Sequence, residues 1–522
     1  MKFDTPYATH RGPLLARNIV ATSQPLAAQA GLRMLLQGGN AIDAALAAAI
    51  ALTVVEPTGN GLGSDAFAIL WDGTELHGLN ASGRSPAGWT ADNQVPLRGW
   101  DSVTVAGAVS GWVALSDRFG ALPFKALFEP AISYAENGFA VSPIIAQLWA
   151  RGAEILSEQP GFAACFLPNG RAPQAGELFQ NRDLGSSLRL IAQTRGDVFY
   201  RGALAEKITA DAAHHGAALS MEDLASHTCD WSGTLSQPFS GIDLHEIPPN
   251  GQGIAAQIAL GLLSHFDLAS LGPDSPDSIH LQIEAIKLAM ADAEEFVADP
   301  AHMHIKPTAL LNDAYLASRA LLIDPNRAKM AEHGAPSNGG TVYVSAADAA
   351  GRMVSFIQSN YMGFGSGIVV PGTGIHLQNR GAGFVETEGH ANQIGPSKRP
   401  FHTIIPAFVT KNGQPEMSFG VMGGPMQAQG HVQMLIRMLL HGQSPQAASD
   451  APRWRFVSGT EIAVENTMPQ TTVDALSAIG HKIVREAPDN SFGFGGAQLI
   501  VRHGLGYAAG SDHRKDGCAV GF

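Results

Sequence analysis

The sequence predicts a large mixed protein of helices and strands, and three observations carry that expectation. The chain has 522 residues, enough for two to four average domains or one large α/β unit. Hydrophobic residues make up 45% and charged residues 15%, the balance of a globular chain rather than a disordered one. Runs that alternate apolar and polar residues are interleaved with runs whose apolar residues recur every 3.6 positions, so both strands and helices are expected.

The same numbers exclude several function classes. Net charge is −13 and no basic stripe occurs, which argues against nucleic acid as a partner. Cys165, Cys229 and Cys518 are scattered with no CxxC, and no HExxH occurs, so neither a disulfide framework nor a metal motif is expected. The first residues, Met1-Lys2-Phe3-Asp4-Thr5-Pro6, lack the apolar core of a signal peptide. The longest apolar run, from Ala44 to Val55, is well short of the ~20 residues that span a bilayer. The expectation is a soluble, cytoplasmic protein with no membrane partner.

Taken in order, residues 19–23 read as a short strand and 24–37 as a helix stopped by Gly38-Gly39. Asn40 is placed to cap a second, alanine-rich helix over 41–54. The loop over 56–63 is rich in glycine and leads to a strand over 66–71. No Lys-Ser/Thr follows it and no G-x-G-x-x-G opens a helix, so a nucleotide-binding reading is weak and a packing role is preferred. Residues 100–270 look mostly helical and carry no arguable chemistry. Pro276, after Asp274-Ser275, starts a clear helix with Ile279, Ile283, Ile286 and Met290 on one face, where His280 reads as a packed residue rather than a ligand. Residues 325–340 turn polar and glycine-rich, as an exposed, cleavable linker does.

That linker ends in Ser337-Asn338-Gly339-Gly340, and a strand pattern starts on Thr341. Val342 and Val344 fall on one face, Tyr343 and Ser345 on the other. Asp348-Ala349-Ala350-Gly351 reads as a turn and 353–359 as the returning strand. Alone, Gly-Gly-Thr is a common loop-to-strand junction. Its chemistry is nevertheless specific. Cleavage between Gly340 and Thr341 would place a free α-amine on the residue that carries the hydroxyl. An α-amine has a reference pKa of about 7.7–8.0, so near neutral pH it serves as general base for its own Oγ. After the hairpin, Lys398-Arg399-Pro400-Phe401-His402-Thr403 leads into a strand over 404–410. Gly423 and Gly424 lie just ahead of a helix over 426–440 with Pro425 at its start, where free N–H groups favour an anion.

The segment from Thr341 to Phe384 resembles the small subunit of the γ-glutamyltransferases (glutathione hydrolases), which are N-terminal-nucleophile hydrolases. The shared frame is Thr341, Ser345, Asp348, Gly351, Ser359, the run Phe364-Gly365-Ser366-Gly367-Ile368-Val369, Gly374-Ile375 and Asn379. Weaker landmarks extend it from about Ile19 to Asp516. The resemblance implies an α+β fold, a four-layer αββα sandwich with two central antiparallel sheets. It implies one structural domain split after Gly340 into a large fragment, 1–340, and a small one, 341–522, held as a heterodimer, with a dimer of heterodimers as an open alternative. It puts Thr341 as nucleophile with Ser359 in the catalytic set, Gly423 and Gly424 as the oxyanion hole, and Arg84 on the substrate α-carboxylate. No metal or organic cofactor is implied.

The departures from the family pattern bear on the substrate. His402 and Thr403 stand where two carboxylate-binding serines are found, and a packed core histidine and a substrate donor are both open readings of His402. Tyr361, Arg380 and Gly383 stand where an Asn, a Gln and an Asp hold the substrate amine. A carboxylate site without an amine site is expected, since an arginine repels an ammonium. The runs Gln378-Asn379-Arg380-Gly381 and Ser355-Phe356-Ile357-Gln358-Ser359 resemble a cytoplasmic branch that includes oxamate amidohydrolases of purine catabolism. Oxamate is the expected small carboxylate-amide substrate. A γ-glutamyl or glutathione hydrolase, a glutaryl-amide (cephalosporin-type) acylase, and an unprocessed binding protein are the alternatives.

Overall fold

The computed structural model describes residues 11–330, 340–486 and 493–522. The N-terminal hexapeptide and most of the expected linker lie outside these residues. Fourteen strands form two antiparallel sheets of seven each. In chain order they are β1 (Leu14–Ala16), β2 (Ile19–Thr22), β3 (Asp65–Trp71), β4 (Leu76–Ala81), β5 (Asp230–Trp231), β6 (Leu235–Phe239), β7 (Ile242–Glu246), β8 (Gly340–Ala347), β9 (Met353–Tyr361), β10 (Ala407–Lys411), β11 (Gln414–Met422), β12 (Gly496–His503), β13 (Gly506–Ser511) and β14 (Cys518–Gly521). One sheet runs β14-β2-β8-β9-β3-β4-β5 and the other β1-β13-β12-β11-β10-β7-β6.

The alternation along β8 shows how the layers arise. Val342, Val344 and Ala346 belong to a core shared with α1 (Pro25–Leu36) and α2 (Ala41–Val55). Tyr343 and Ala347 point the other way, into a core between the sheets with Phe67, Ile357, Ile404, Phe408 and Ile500. The far face of the second sheet, with Leu244, Val409, Phe419 and Leu499, packs on α3 (Gly253–Leu263), α4 (Pro276–Phe296) and α5 (Met426–Leu439). Three cores between four layers give the αββα sandwich, and period 2 along each strand sends alternate side chains to different cores.

Local signals account for the helix starts. The Asn40 side chain accepts from the N–H groups of Ile42 and Asp43 while the Asp43 carboxylate accepts from Asn40 N at 2.9 Å, a complete capping box. All 15 residues of α2 are buried. Its alanines allow close approach: a Cβ on Gly31 of α1 would stand 2.8 Å from the Ala44 carbonyl oxygen. Ser275 caps α4 with Pro276 following.

Four details differ from the sequence expectation. Gln24 is the N-cap of α1 rather than its first helical residue, and its Oε1 accepts from Leu26 N at 2.6 Å. The strand expected from 404 starts at Ala407, because Ile404 N and Ile405 N donate to the side chains of His402 and Gln427 instead of a neighbouring strand. Pro425 is the N-cap residue of α5, one position earlier than expected. The stretch read as mostly helical also supplies β5, β6 and β7, which finish both sheets. Among the described residues no helix is long and apolar enough to cross a membrane.

Candidate active site

β8 lies inside its sheet, flanked by β2 and β9. Its register with β9 pairs Gly340 with Tyr361 and Val342 with Gln358, with an irregularity between. Thr341 sits in that irregularity, where a bulge re-aims a side chain relative to the ladder. Thr341 is buried, and its Oγ donates to Ser359 Oγ at 3.3 Å. Ser359 Oγ also accepts from Tyr361 N at 2.8 Å. Tyr361, opposite Gly340, has φ +77°, a conformation costing of order 1–3 kcal/mol that persists only where surroundings fix it.

Gly423 and Gly424 join β11 to α5 with φ of +118° and +59°, both open to glycine at no steric cost. Their carbonyls accept from Met426 N and Gln427 N, the first turn of α5. Among the described residues neither glycine N–H donates to a partner. Two free donors at the start of a 14-residue helix suit a negative oxygen.

The second charged group is Arg380, in a short 3₁₀ turn spanning Arg380–Gly383. It is 1% exposed. Its Nη1 donates to Thr403 Oγ1 at 2.9 Å, and its guanidinium stacks 4.7 Å from the centre of the Tyr361 ring. Nε and Nη2 meet no hydrogen-bond partner among the described residues. Burial lowers its pKa to about 10 against the opposing pull of Asp65, so the guanidinium stays charged at neutral pH. Burial likewise raises Asp65 to about 6, while Arg380 and the N–H groups of Gly83 and Gly107 hold it from rising further.

The geometry around His402 favours the packed reading over the donor one. Ile404 N points at His402 Nδ1 (3.4 Å), so Nε2 carries the proton and donates to Asp65 Oδ2 at 3.1 Å. Burial, then Arg380 and Arg399, hold His402 well below the usual histidine range, so it is neutral. It is a satisfied core histidine against Phe67.

A cavity of about 440 Å³ meets these elements. Tyr361, Thr403, Gln252, Pro425 and Gly383 line it together with Met290, Phe384 and Phe401. Arg84 and His402 do not, and Thr341, Arg380, Gly423 and Gly424 lie behind it, each next in chain or hydrogen-bonded to a lining residue or to its neighbour. The Arg84 side chain is 44% exposed and its Nη1 pairs with Asp299 Oδ2 at 2.9 Å, beside a separate cavity of about 60 Å³. Sequence reasoning missed Asp65 and Gln252. Asp65 sits where the glycine-rich loop enters β3, and Gln252 lies shortly after the Pro248-Pro249 pair, so position was their only signal. Two groups of side chains among the described residues have metal-like spacing, His280/Glu284/His481 and Asp72/Glu75/His77; neither includes a residue of the candidate site. His280 is packed as expected, with Nδ1 2.8 Å from His481 Nε2.

The model of the family described as gamma-glutamyltranspeptidase matches residues 27–522. A glutathione hydrolase-like YwrD proenzyme of Bacillus subtilis is 36% identical over 97% of this chain and 98% of its own. An oxamate amidohydrolase proenzyme of Klebsiella pneumoniae is 34% identical over 98% of this chain and 100% of its own. The crystal structure of a cephalosporin acylase from Bacillus halodurans superposes with TM-score 0.95 at 44% identity, covering 100% of this chain and 99% of that one. With its sheets, layers and sequence matched end to end, this chain belongs to the gamma-glutamyltranspeptidase family and is an amide-bond hydrolase of the N-terminal-nucleophile kind.

Proposed function

We propose that the chain cuts itself between Gly340 and Thr341 and that Thr341 is then the nucleophile toward an amide whose acyl group ends in a carboxylate and carries no α-amine. The two fragments stay together because β8, once freed, remains hydrogen-bonded to β2 of the large fragment as well as to β9. The new α-amine takes the proton of Thr341 Oγ as the oxygen attacks the amide carbon. The N–H groups of Gly423 and Gly424 receive the negative oxygen of the tetrahedral intermediate. Collapse expels the amine, which takes the proton back from the ammonium. Water, deprotonated by the same α-amine, then cleaves the acyl ester. Ser359 holds the Thr341 hydroxyl in place from within the fold.

The observation that carries the substrate reading is Arg380. A guanidinium buried with two nitrogens unpartnered is costly unless a ligand anion supplies the missing bonds. No acidic residue stands at Gly383, which shares its turn with Arg380, so an α-ammonium brought there would meet a cation; the carboxylates that line the cavity are Glu294 and Glu295 of α4. Oxamate, a carboxylate joined directly to a primary amide, meets both conditions, and the curated relative acting on oxamate supports it. A role in purine catabolism and in the cytoplasm goes with that substrate. The cavity favours a second reading. At about 440 Å³ it falls in the range (~300–1,000 Å³) of pockets that enclose drug-sized ligands, far more than oxamate fills. A glutaryl-type amide with a bulky amine would use that space, in line with the acylase structure of similar fold. The test is amine or ammonia release from oxamate, glutaramate, a glutaryl anilide, glutamine and glutathione. The proposal predicts turnover of the amine-free compounds ahead of the last two, and the ratio of oxamate to glutaryl anilide separates the two readings.

A further inference from the structure

Gln252 is buried and lies at the start of α3, yet its side chain does not cap that helix. Its Nε2 donates instead to two carbonyl oxygens, Thr403 O at 2.6 Å and Gly424 O at 2.9 Å. Thr403 is the residue whose hydroxyl takes Arg380 Nη1, and Gly424 supplies one of the two free N–H groups. One amide head therefore spans the two groups that would hold opposite ends of a substrate acyl group. The backbone beneath it is laced to the same segment: Gln252 N donates to His402 O and His402 N to Asn250 O, both at 2.9 Å.

We infer that Gln252 is a positioning residue, fixing the separation between the Arg380–Thr403 anion site and the Gly423–Gly424 oxyanion site. The inference rests on the function proposed above. The chemistry selects this side chain. Two protons on one uncharged nitrogen reach two carbonyls at once, which a carboxylate of the same shape cannot do. Gly424 O already accepts from Gln427 N at 3.1 Å, so the second bond adds direction rather than mere satisfaction. Gln252 also precedes the cleavage point while both carbonyls follow it. After scission it belongs to the other fragment, so the site's spacing depends on both fragments.

The test uses the full-length processed protein with p-nitrophenyl acetate, an activated ester that needs nucleophile and oxyanion donors but no anion site. The burst amplitude counts folded, processed sites, and the burst rate constant reads their geometry. Gln252→Met is expected to keep the amplitude and lower the rate constant about 10- to 100-fold, the range for a misplaced reacting group or a lost oxyanion donor. It should also raise KM for whichever carboxylate-amide the wild type hydrolyses. If Gln252→Met stalls self-cleavage, Gln252→Asn, one methylene shorter, is read the same way, and its rate constant should fall below that of the wild type at unchanged amplitude. A lower amplitude with an unchanged rate constant means a merely structural role and overturns the inference. A wild type that shows the burst but hydrolyses no carboxylate-amide removes the substrate reading and leaves the rate comparison valid. A wild type with no burst removes the nucleophile and this inference together.

Discussion

Three arginines of this molecule are placed so differently that they sort binding from packing. Arg84 is half in solvent and pairs with Asp299. Arg453 is fully buried, its Nη1 and Nη2 donate to Phe494 O, Ser449 O and Asp512, and its Nε alone is without a partner among the described residues. Arg380 is equally buried, but only one of its three nitrogens finds a partner among the described residues. An ion pair whose cation is half in solvent contributes little, and a buried arginine with both Nη groups filled and a carboxylate partner is a structural fixture. A buried guanidinium with Nε and Nη2 open keeps hydrogen-bonding capacity for an incoming anion even beside the charge of Asp65. The comparison teaches that charge and position in a motif do not identify a ligand site; unfilled hydrogen-bonding capacity beside a cavity does.

Predictions follow from that contrast in order of expected size. Thr341→Ala removes the hydroxyl needed both for scission and for turnover. It should run as a single chain on a denaturing gel and release no amine from any substrate. Gly424→Val places a branched side chain at φ +59° and displaces one oxyanion donor. Loss of such a donor costs about 10²–10³ in kcat, and KM should change much less.

Asp512→Asn tests the buried, carboxylate-paired arginine. Burial would raise the Asp512 carboxyl, but Arg453 and Arg514 outweigh it and hold it below the usual 3.8. A depressed folded pKa contributes stability that is present above 3.8 and lost as pH falls through the folded value. Breaking the pair at neutral pH should cost about 3–5 kcal/mol in denaturant unfolding, shrinking as the pH is lowered, with no change in substrate preference. The smallest effect belongs to Arg84→Met. Its guanidinium is half in solvent, and the buried Asp299 keeps the N–H groups of Arg399 and Ala301, so kcat/KM should stay within a few-fold of wild type. A hundredfold loss would return Arg84 to the role that the family resemblance implies for it.

Much of this was legible in the sequence because the signals were local. Asn40, Ser275 with Pro276 and the alternation of Val342 and Val344 each state their structure within a few residues. The hairpin and the paired glycines before α5 were legible for the same reason. What escaped depends on partners far along the chain. His402 is decided by Asp65, 337 positions away, and Gln252 by Thr403 and Gly424, 151 and 172 positions away. The place of Arg84 is decided by Asp299, which no motif announces. Gly383 offers a related lesson. A Cβ there would stand 2.7 Å from the Phe401 carbonyl oxygen, so an aspartate cannot simply be restored to rebuild an amine site.

The claim that Arg380 selects an amine-free carboxylate is tested most directly by one matched pair of substrates. Glutaramate and L-glutamine differ only in the α-amine, so their ratio of kcat/KM isolates what the site does with an ammonium. The account predicts that wild type favours glutaramate by at least about tenfold, one pKa unit's worth of differential interaction (~1.4 kcal/mol), and that Arg380→Met loses that preference along with most of the rate. Glutamine hydrolysed as fast as glutaramate or faster, with the ratio unmoved in Arg380→Met, would contradict it.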